Sequence, residues 1–300
     1  MSDAIDIGML LSCANCGKGE EDSNKLKKCS ACLSVKYCSA ACQKAHRPQH
    51  KKACKKKAAE LYEEKLFKEV EREECPICFL PLSGREMTEM FQSCCGKVIC
   101  IGCIYLMNES GGKDLCAFCR TPPPSSDEER IKRLKKLMAK GVGGAFFSLA
   151  GYYDRGMMGL TQDWAKSNEL LLRGGELGYS EAYYNLACSY SNGTGVEVDT
   201  NKAKYYYELA AMNGSIKARH NLGCIEGQAG HFCRGMKHLI LAARAGYEMS
   251  LEAVKKGYMS GLGLLTKDEY ANTLRAYQKR QKEMKSDARD KAAVSGIFSH

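Results

Sequence analysis

Fifteen of the chain's 18 cysteines lie before residue 120, and most of them stand in C-x2-C pairs. No other feature constrains the fold as strongly. Disulfide frameworks belong to exported chains. The opening stretch MSDAIDIGMLLSC is acidic, has no basic segment ahead of its short apolar run, and predicts no secretory signal. Clustered thiols in a reducing, intracellular compartment, cytoplasmic or nuclear, predict zinc ligation. No apolar run approaches the roughly 18 residues of a membrane-spanning helix, so no membrane partner is expected.

The first cluster reads Cys13-x2-Cys16, Cys29-x2-Cys32, Cys38-x3-Cys42 and His50-x3-Cys54. Eight donors are what two tetrahedral zinc ions require. Two intervening residues let both sulfurs of a C-x2-C pair face one metal. The i, i+4 pairs Cys38/Cys42 and His50/Cys54 share a helical face. Leu26, Val35 and Tyr37 are too few to form a core, so metal affinity must supply folding energy.

This spacing, with the phrase VKYCSAACQKAHRPQHKKAC, resembles the MYND zinc finger over residues 13–54. The resemblance implies Cys13, Cys16, Cys38 and Cys42 on one zinc, and Cys29, Cys32, His50 and Cys54 on the other. His50 has the family's offset from Cys42 and Cys54; His46 is read as a solvated surface histidine. MYND fingers dock short proline-containing peptides through a glutamine after the sixth ligand and a tryptophan four residues later. Gln43 fills the first position and Arg47 replaces the tryptophan. Nothing resembles the cofactor motifs of the SET methyltransferases that often carry this finger.

Residues 58–74 are charged and helix-favouring, with Tyr62, Leu66 and Val70 at i, i+4, i+8, and predict a linker helix. A second set of eight donors follows: Cys75, Cys78, Cys94, Cys95, Cys100, Cys103, Cys116 and Cys119. The phrases ECPICFLPL, CCGKVICIGCI and LCAFCRTP resemble a RING finger over 75–122. Cross-brace pairing implies Cys75, Cys78, Cys100 and Cys103 on a third zinc, and Cys94, Cys95, Cys116 and Cys119 on a fourth. Lys97 occupies the family's histidine position and cannot bind metal, so Cys95 makes this an all-cysteine variant. The family's contacts to a ubiquitin-conjugating enzyme fall on Ile77 and Arg120, whereas its usual proline in the last C-x2-C is Ala117. Two functions stay open at this point: a ubiquitin ligase that positions a conjugating enzyme, and a non-enzymatic scaffold built on structural zinc fingers.

After the boundary TPPPSSDEER, where Ser126 and Glu129 have capping-box spacing, the chain repeats itself. AFFSLAGYYDRG at 145, AYYNLACSYSNG at 182 and ARHNLGCIEGQAG at 218 align, with an echo in AVKKGYMSG at 253. Steps of 37, 36 and 35 residues are solenoid spacing. Each unit continues into a second helix, the third unit being shorter, and a helix opening with Thr266 and Glu269 caps the stack. These units resemble Sel-like repeats, relatives of the tetratricopeptide repeat, which bind proteins. The run Tyr205-Tyr206-Tyr207 is assigned to the stacked-helix core, as are Cys188, Cys224 and Cys233.

The expected fold is therefore mainly α. Two small cross-brace zinc modules (13–54 and 75–122) precede an α-solenoid over 127–280 and a polar tail over 281–300. The order of modules resembles an expanded family of diatom proteins. About four zinc ions per chain are implied. The formal charge of +10 and the run KKACKKK suggest nucleic acid. Yet fifteen thiolates contribute −15 and four zinc ions +8, taking the loaded chain to +3. No base-reading or stacking element accompanies the run, and proteins are the expected partners.

Overall fold

A computed structural model describes residues 12–19, 25–83, 88–112 and 115–295. The N-terminal segment on which the absence of an export signal was read lies mostly outside them. The chain divides into two compact units, Met1–Lys68 and Glu69–His300. The architecture is mainly α: two small cysteine-rich modules, then a helical solenoid. None of its described helices is long and apolar enough to cross a membrane.

In the first unit, β1 (Lys27–Lys28) pairs antiparallel with β2 (Lys36–Tyr37), and Lys27 lies opposite Tyr37. Helix α1 (Ala40–Leu66) follows, its first turn capped by the Ser39 hydroxyl, which accepts from the Cys42 N–H at 3.2 Å. Leu26, Val35 and Tyr37 are buried together with Cys13, Cys29 and Cys32. Half of this buried set is thiol, so apolar packing alone is a thin support.

Helix α1 departs from expectation. It runs unbroken for 27 residues through Pro48, which has no N–H for the Lys44 carbonyl. The helix expected over 58–74 coincides with its last third, and it ends at Leu66, where the Phe67 N–H bonds the Glu63 carbonyl at 2.9 Å. The stretch KKKAAELYEEKL contains only helix formers and nothing to stop a helix already set by His50 and Cys54. Val70 lies beyond the helix and is exposed.

In the second unit, β3 (Glu89–Phe91) pairs antiparallel with β4 (Val98–Cys100), which leads into α2 (Ile101–Glu109). Ile99, Leu82, Cys75, Cys100, Cys103 and Cys116 form the buried centre of this module. Helix α3 (Asp127–Met138) begins at Ser126, whose hydroxyl accepts from the Glu129 N–H; the Glu129 carboxylate reaches back to Ser125, not to Ser126. Three antiparallel pairs follow: α4 (Gly143–Arg155) with α5 (Trp164–Glu176), α6 (Ser180–Asn192) with α7 (Thr200–Met212), and α8 (Ile216–Gln228) with α9 (Phe232–Arg244). α10 (Glu248–Met259) and α11 (Lys267–Glu283) close the stack, and α11 starts with a complete Thr266–Glu269 capping box.

Alanine does the close packing. Ala145, Ala150, Ala182, Ala187, Ala210, Ala211, Ala218, Ala242 and Ala243 are fully buried between helices, beside Leu149, Leu186 and Leu222. α9 has 13 residues, as do α5 and α7. The shortening of the third unit lies in the loop: α8 and α9 are joined by residues 229–231, whereas the first two pairs use longer loops that begin at Gly156 and Gly193 in the left-handed region. The assigned core residues divide by angle. Tyr207 is buried and Tyr205 is 51% exposed, because residues two apart on a helix point about 200° apart. Cys224 and Cys233 are exposed and Cys188 half-buried; Cys188 and Cys224 each sit one position past the small residue (Ala187, Gly223) that faces the core.

The expected polar tail is structured as far as it is described. Residues 281–283 belong to α11, and α12 (Asp287–Val294) packs on α2 of the second module. A Cβ at Gly102 would lie 2.8 Å from the backbone nitrogen of Arg289, so α2 and α12 touch at glycine. Small Ala292 is buried, and polar composition does not prevent docking where the contact is made by small residues and hydrogen bonds.

Candidate metal centres and docking surfaces

Four groups of four donors converge: Cys13, Cys16, Cys38 and Cys42; Cys29, Cys32, His50 and Cys54; Cys75, Cys78, Cys100 and Cys103; Cys94, Cys95, Cys116 and Cys119. Within each group all ligand atoms lie within 4.8 Å of one another. Sulfur pairs stand at 3.6 Å (Cys16/Cys38), 3.7 Å (Cys29/Cys54), 3.8 Å (Cys75/Cys103) and 3.9 Å (Cys95/Cys116). A disulfide would need about 2.05 Å. A tetrahedron with Zn–S near 2.3 Å has edges of about 3.8 Å. The donor sets fit zinc, about four ions per chain.

Local backbone prepares several thiols for metal. Burial opposes ionisation of Cys13, but the N–H groups of Cys38, Cys16 and Asn15 hold it at about 6. Burial likewise opposes ionisation of Cys29, which the Cys32 and Ala31 N–H groups bring to about 6. Their partners are pushed the other way. Cys38 rises to about 12 because the thiols of Cys42, Cys16 and Cys13 crowd it. Cys54 rises to about 11, first from burial and then from Cys29 and Cys32. A divalent cation relieves this conflict by letting every sulfur ionise together.

His50 faces the Cys32 sulfur through Nε2 at 3.2 Å. His46 is not a solvated histidine. Its ring stacks on His50 at 5.5 Å, and its Nδ1 is 3.0 Å from the Tyr37 hydroxyl. The i, i+4 spacing on α1 makes this contact, so His46 positions the ligand ring. Lys97 carries its ammonium 6.0 Å from the Phe118 ring centre, away from any metal role.

Arg289 was invisible in the sequence. From α12 it donates to the Pro81 carbonyl at 2.8 Å and the Leu80 carbonyl at 3.3 Å, and reaches the Cys78 sulfur at 3.8 Å. Its guanidinium thus supports the loop that carries Cys78, more than 200 residues away in sequence. The solenoid holds a second such cluster. The side chain of Glu226 is 1% exposed and meets Lys204 at 2.7 Å, His231 at 2.9 Å and Arg234 at 3.0 Å. Burial would raise its carboxyl, but these three donors hold it at about 2. The cluster ties α7, α8 and α9 together.

The sequence-derived partner residues are all at the surface. Gln43 and Arg47 line a groove of about 450 Å³ along α1. Ile77 is 37% exposed, and Phe79, Leu106 and Phe118 of the same module are exposed as well. Arg120 adopts a left-handed backbone (φ 60°) and donates to the Met107 sulfur at 2.7 Å.

Comparison with known proteins gives two family matches: the MYND finger over residues 13–54 and the Sel1 repeat over residues 180–215. No curated protein matches the chain. Among solved structures, a Sel1 repeat protein from Oxalobacter formigenes is similar at 22% identity, covering 60% of this chain and 71% of that one, with a TM-score of 0.45. A protective antigen of uropathogenic Escherichia coli displaying an SLR fold is similar at 27% identity, covering 52% of this chain and 33% of that one, with a TM-score of 0.43.

Proposed function

We propose that this zinc-binding adaptor works as a RING-type ubiquitin ligase, in which residues 75–122 recruit a conjugating enzyme while the MYND finger or the repeats hold the substrate. A protein-interaction role follows from a MYND finger and a Sel1 repeat on one chain. The observation that carries the finer reading is the second module itself. It has two four-cysteine donor sets around a buried Ile99, with Ile77 exposed between the ligands of the first loop. In this reading the chain contributes no nucleophile. Zinc holds two loops and α2 rigid, Ile77 supplies apolar contact, and Arg120 bridges to ubiquitin, so the gain comes from orientation.

One observation favours the scaffold alternative: the Arg120 guanidinium is engaged by Met107 of its own module. Autoubiquitination by the purified full chain with activating enzyme and a panel of conjugating enzymes decides between them. The ligase reading expects chains to form, and expects Ile77→Ala and Arg120→Ala to abolish them with zinc content unchanged. No product with any conjugating enzyme would leave the scaffold.

A further inference from the structure

The groove along α1 has a charge pattern that the peptide-docking reading does not use. Its lining includes Lys44, Arg47, Lys51 and Lys55 beside Gln43 and Tyr37. These four cations follow one another at steps of three, four and four residues, which places them in one row on one helical face. All four are exposed. No aspartate or glutamate occurs anywhere from residue 23 to 59, and among the described residues no carboxylate pairs with any of the four. The zinc site at the groove floor offsets little: three thiolates, one neutral histidine and Zn²⁺ sum to a single negative charge.

We infer that this groove binds an extended acidic segment of a partner protein, with carboxylates at alternate positions meeting the cation row. The inference rests on reading the finger as a protein-docking module and specifies its ligand. The spacing supports it. At 1.5 Å per helical residue the four cations span about 16 Å, in steps of about 4.5 to 6 Å. Alternate side chains on one face of an extended strand are about 6.6 Å apart, close enough for long, flexible lysine and arginine side chains to match. Arg47 stands where related fingers carry an apolar tryptophan, and it converts that end of the groove from an apolar to a charged contact. The same charges could attract a nucleic acid, but the groove offers no stacking platform. Its one aromatic residue, Tyr37, is 3% exposed and holds His46 through its hydroxyl.

Fluorescence anisotropy on the zinc-loaded full chain tests this with four labelled probes: a decapeptide alternating glutamate and valine, its glutamine counterpart, an uncharged proline-rich peptide, and a ten-nucleotide oligo(dT). The acidic peptide is expected to bind, more weakly as salt rises, and at least about tenfold more tightly than its glutamine counterpart. Arg47→Gln/Lys51→Gln should weaken it about tenfold with zinc content unchanged. Lys52→Gln/Lys56→Gln removes the same charge from a face about 100° further round α1, outside the groove lining, and should cost less than about twofold. Equal losses in the two variants, or tighter binding of oligo(dT), would overturn the inference. Binding of the proline-rich peptide alone would overturn it while leaving the docking reading intact. Absence of binding by all three peptides would remove both.

Discussion

The finger in the first unit and the repeats in the second hold their folds by opposite means. The finger buries three apolar side chains among three thiols, and its two strands are two residues each. The repeats bury a continuous file of alanines and leucines between helices of 13 residues. A fold of the first kind exists only while its ligands are charged and bridged by metal. One of the second kind depends on shape and tolerates the loss of any distant group. The second zinc module stands between them, since α12 adds packing and an arginine to its metal-held loops.

Metal removal should separate the two regions most widely. A chelator, or Cys29→Ser, is expected to unfold the finger, forfeiting on the order of 10 kcal/mol of metal-coupled folding. Hydrogen exchange should show its amides unprotected while α4 to α9 keep their protection. Loss of solenoid protection at the same chelator concentration would break the distinction.

Next in size is Glu226→Gln, which leaves the partly solvated Lys204 and Arg234 beside a neutral amide and should cost about 2–3 kcal/mol at neutral pH by denaturant titration. Zinc content should not change. The Glu226 carboxyl is held at about 2, so its contribution is full above about pH 4.5 and is lost as pH falls towards 2. His238 acts over a higher window. Burial, then Arg219 and Arg234, lower it to about 3, so the fold resists its protonation and loses stability as pH falls from about 6.5 towards 3. The gap between wild type and Glu226→Gln should therefore narrow only below about pH 4.5.

Arg289→Ala sharpens the position of the second module. It removes the donor to the Leu80 and Pro81 carbonyls and to Cys78. Half-maximal zinc release from that module should need about tenfold less chelator, with release from the finger unchanged. The smallest effect is expected from Thr266→Ala. It breaks the capping box of α11 and should cost about 1 kcal/mol in the solenoid alone.

The donor sets were legible because zinc sites are written locally. C-x2-C pairs, the i, i+4 pair His50/Cys54 and the adjacent Cys94/Cys95 bring ligands close before any long-range contact forms. The repeats were legible through alanine and leucine recurring at steps of about 36 residues. What escaped were contacts with no period. Arg289 lies in DARDKAAV, a stretch whose composition reads as solvated. His46 looked superfluous until α1 placed it one turn before His50. Lys204, Glu226 and Arg234 come from three helices and resemble ordinary surface charges in sequence. The linker helix expected over 58–74 is a continuation of α1, because the last ligand, Cys54, marks the end of the metal site and not the end of the helix.

Zinc content of the intact purified chain, by elemental analysis against protein concentration, tests the central claim most directly. About four zinc ions per chain is the predicted result, one for each donor set. Fewer than about three would contradict a fold whose two cysteine-rich modules are organised by metal.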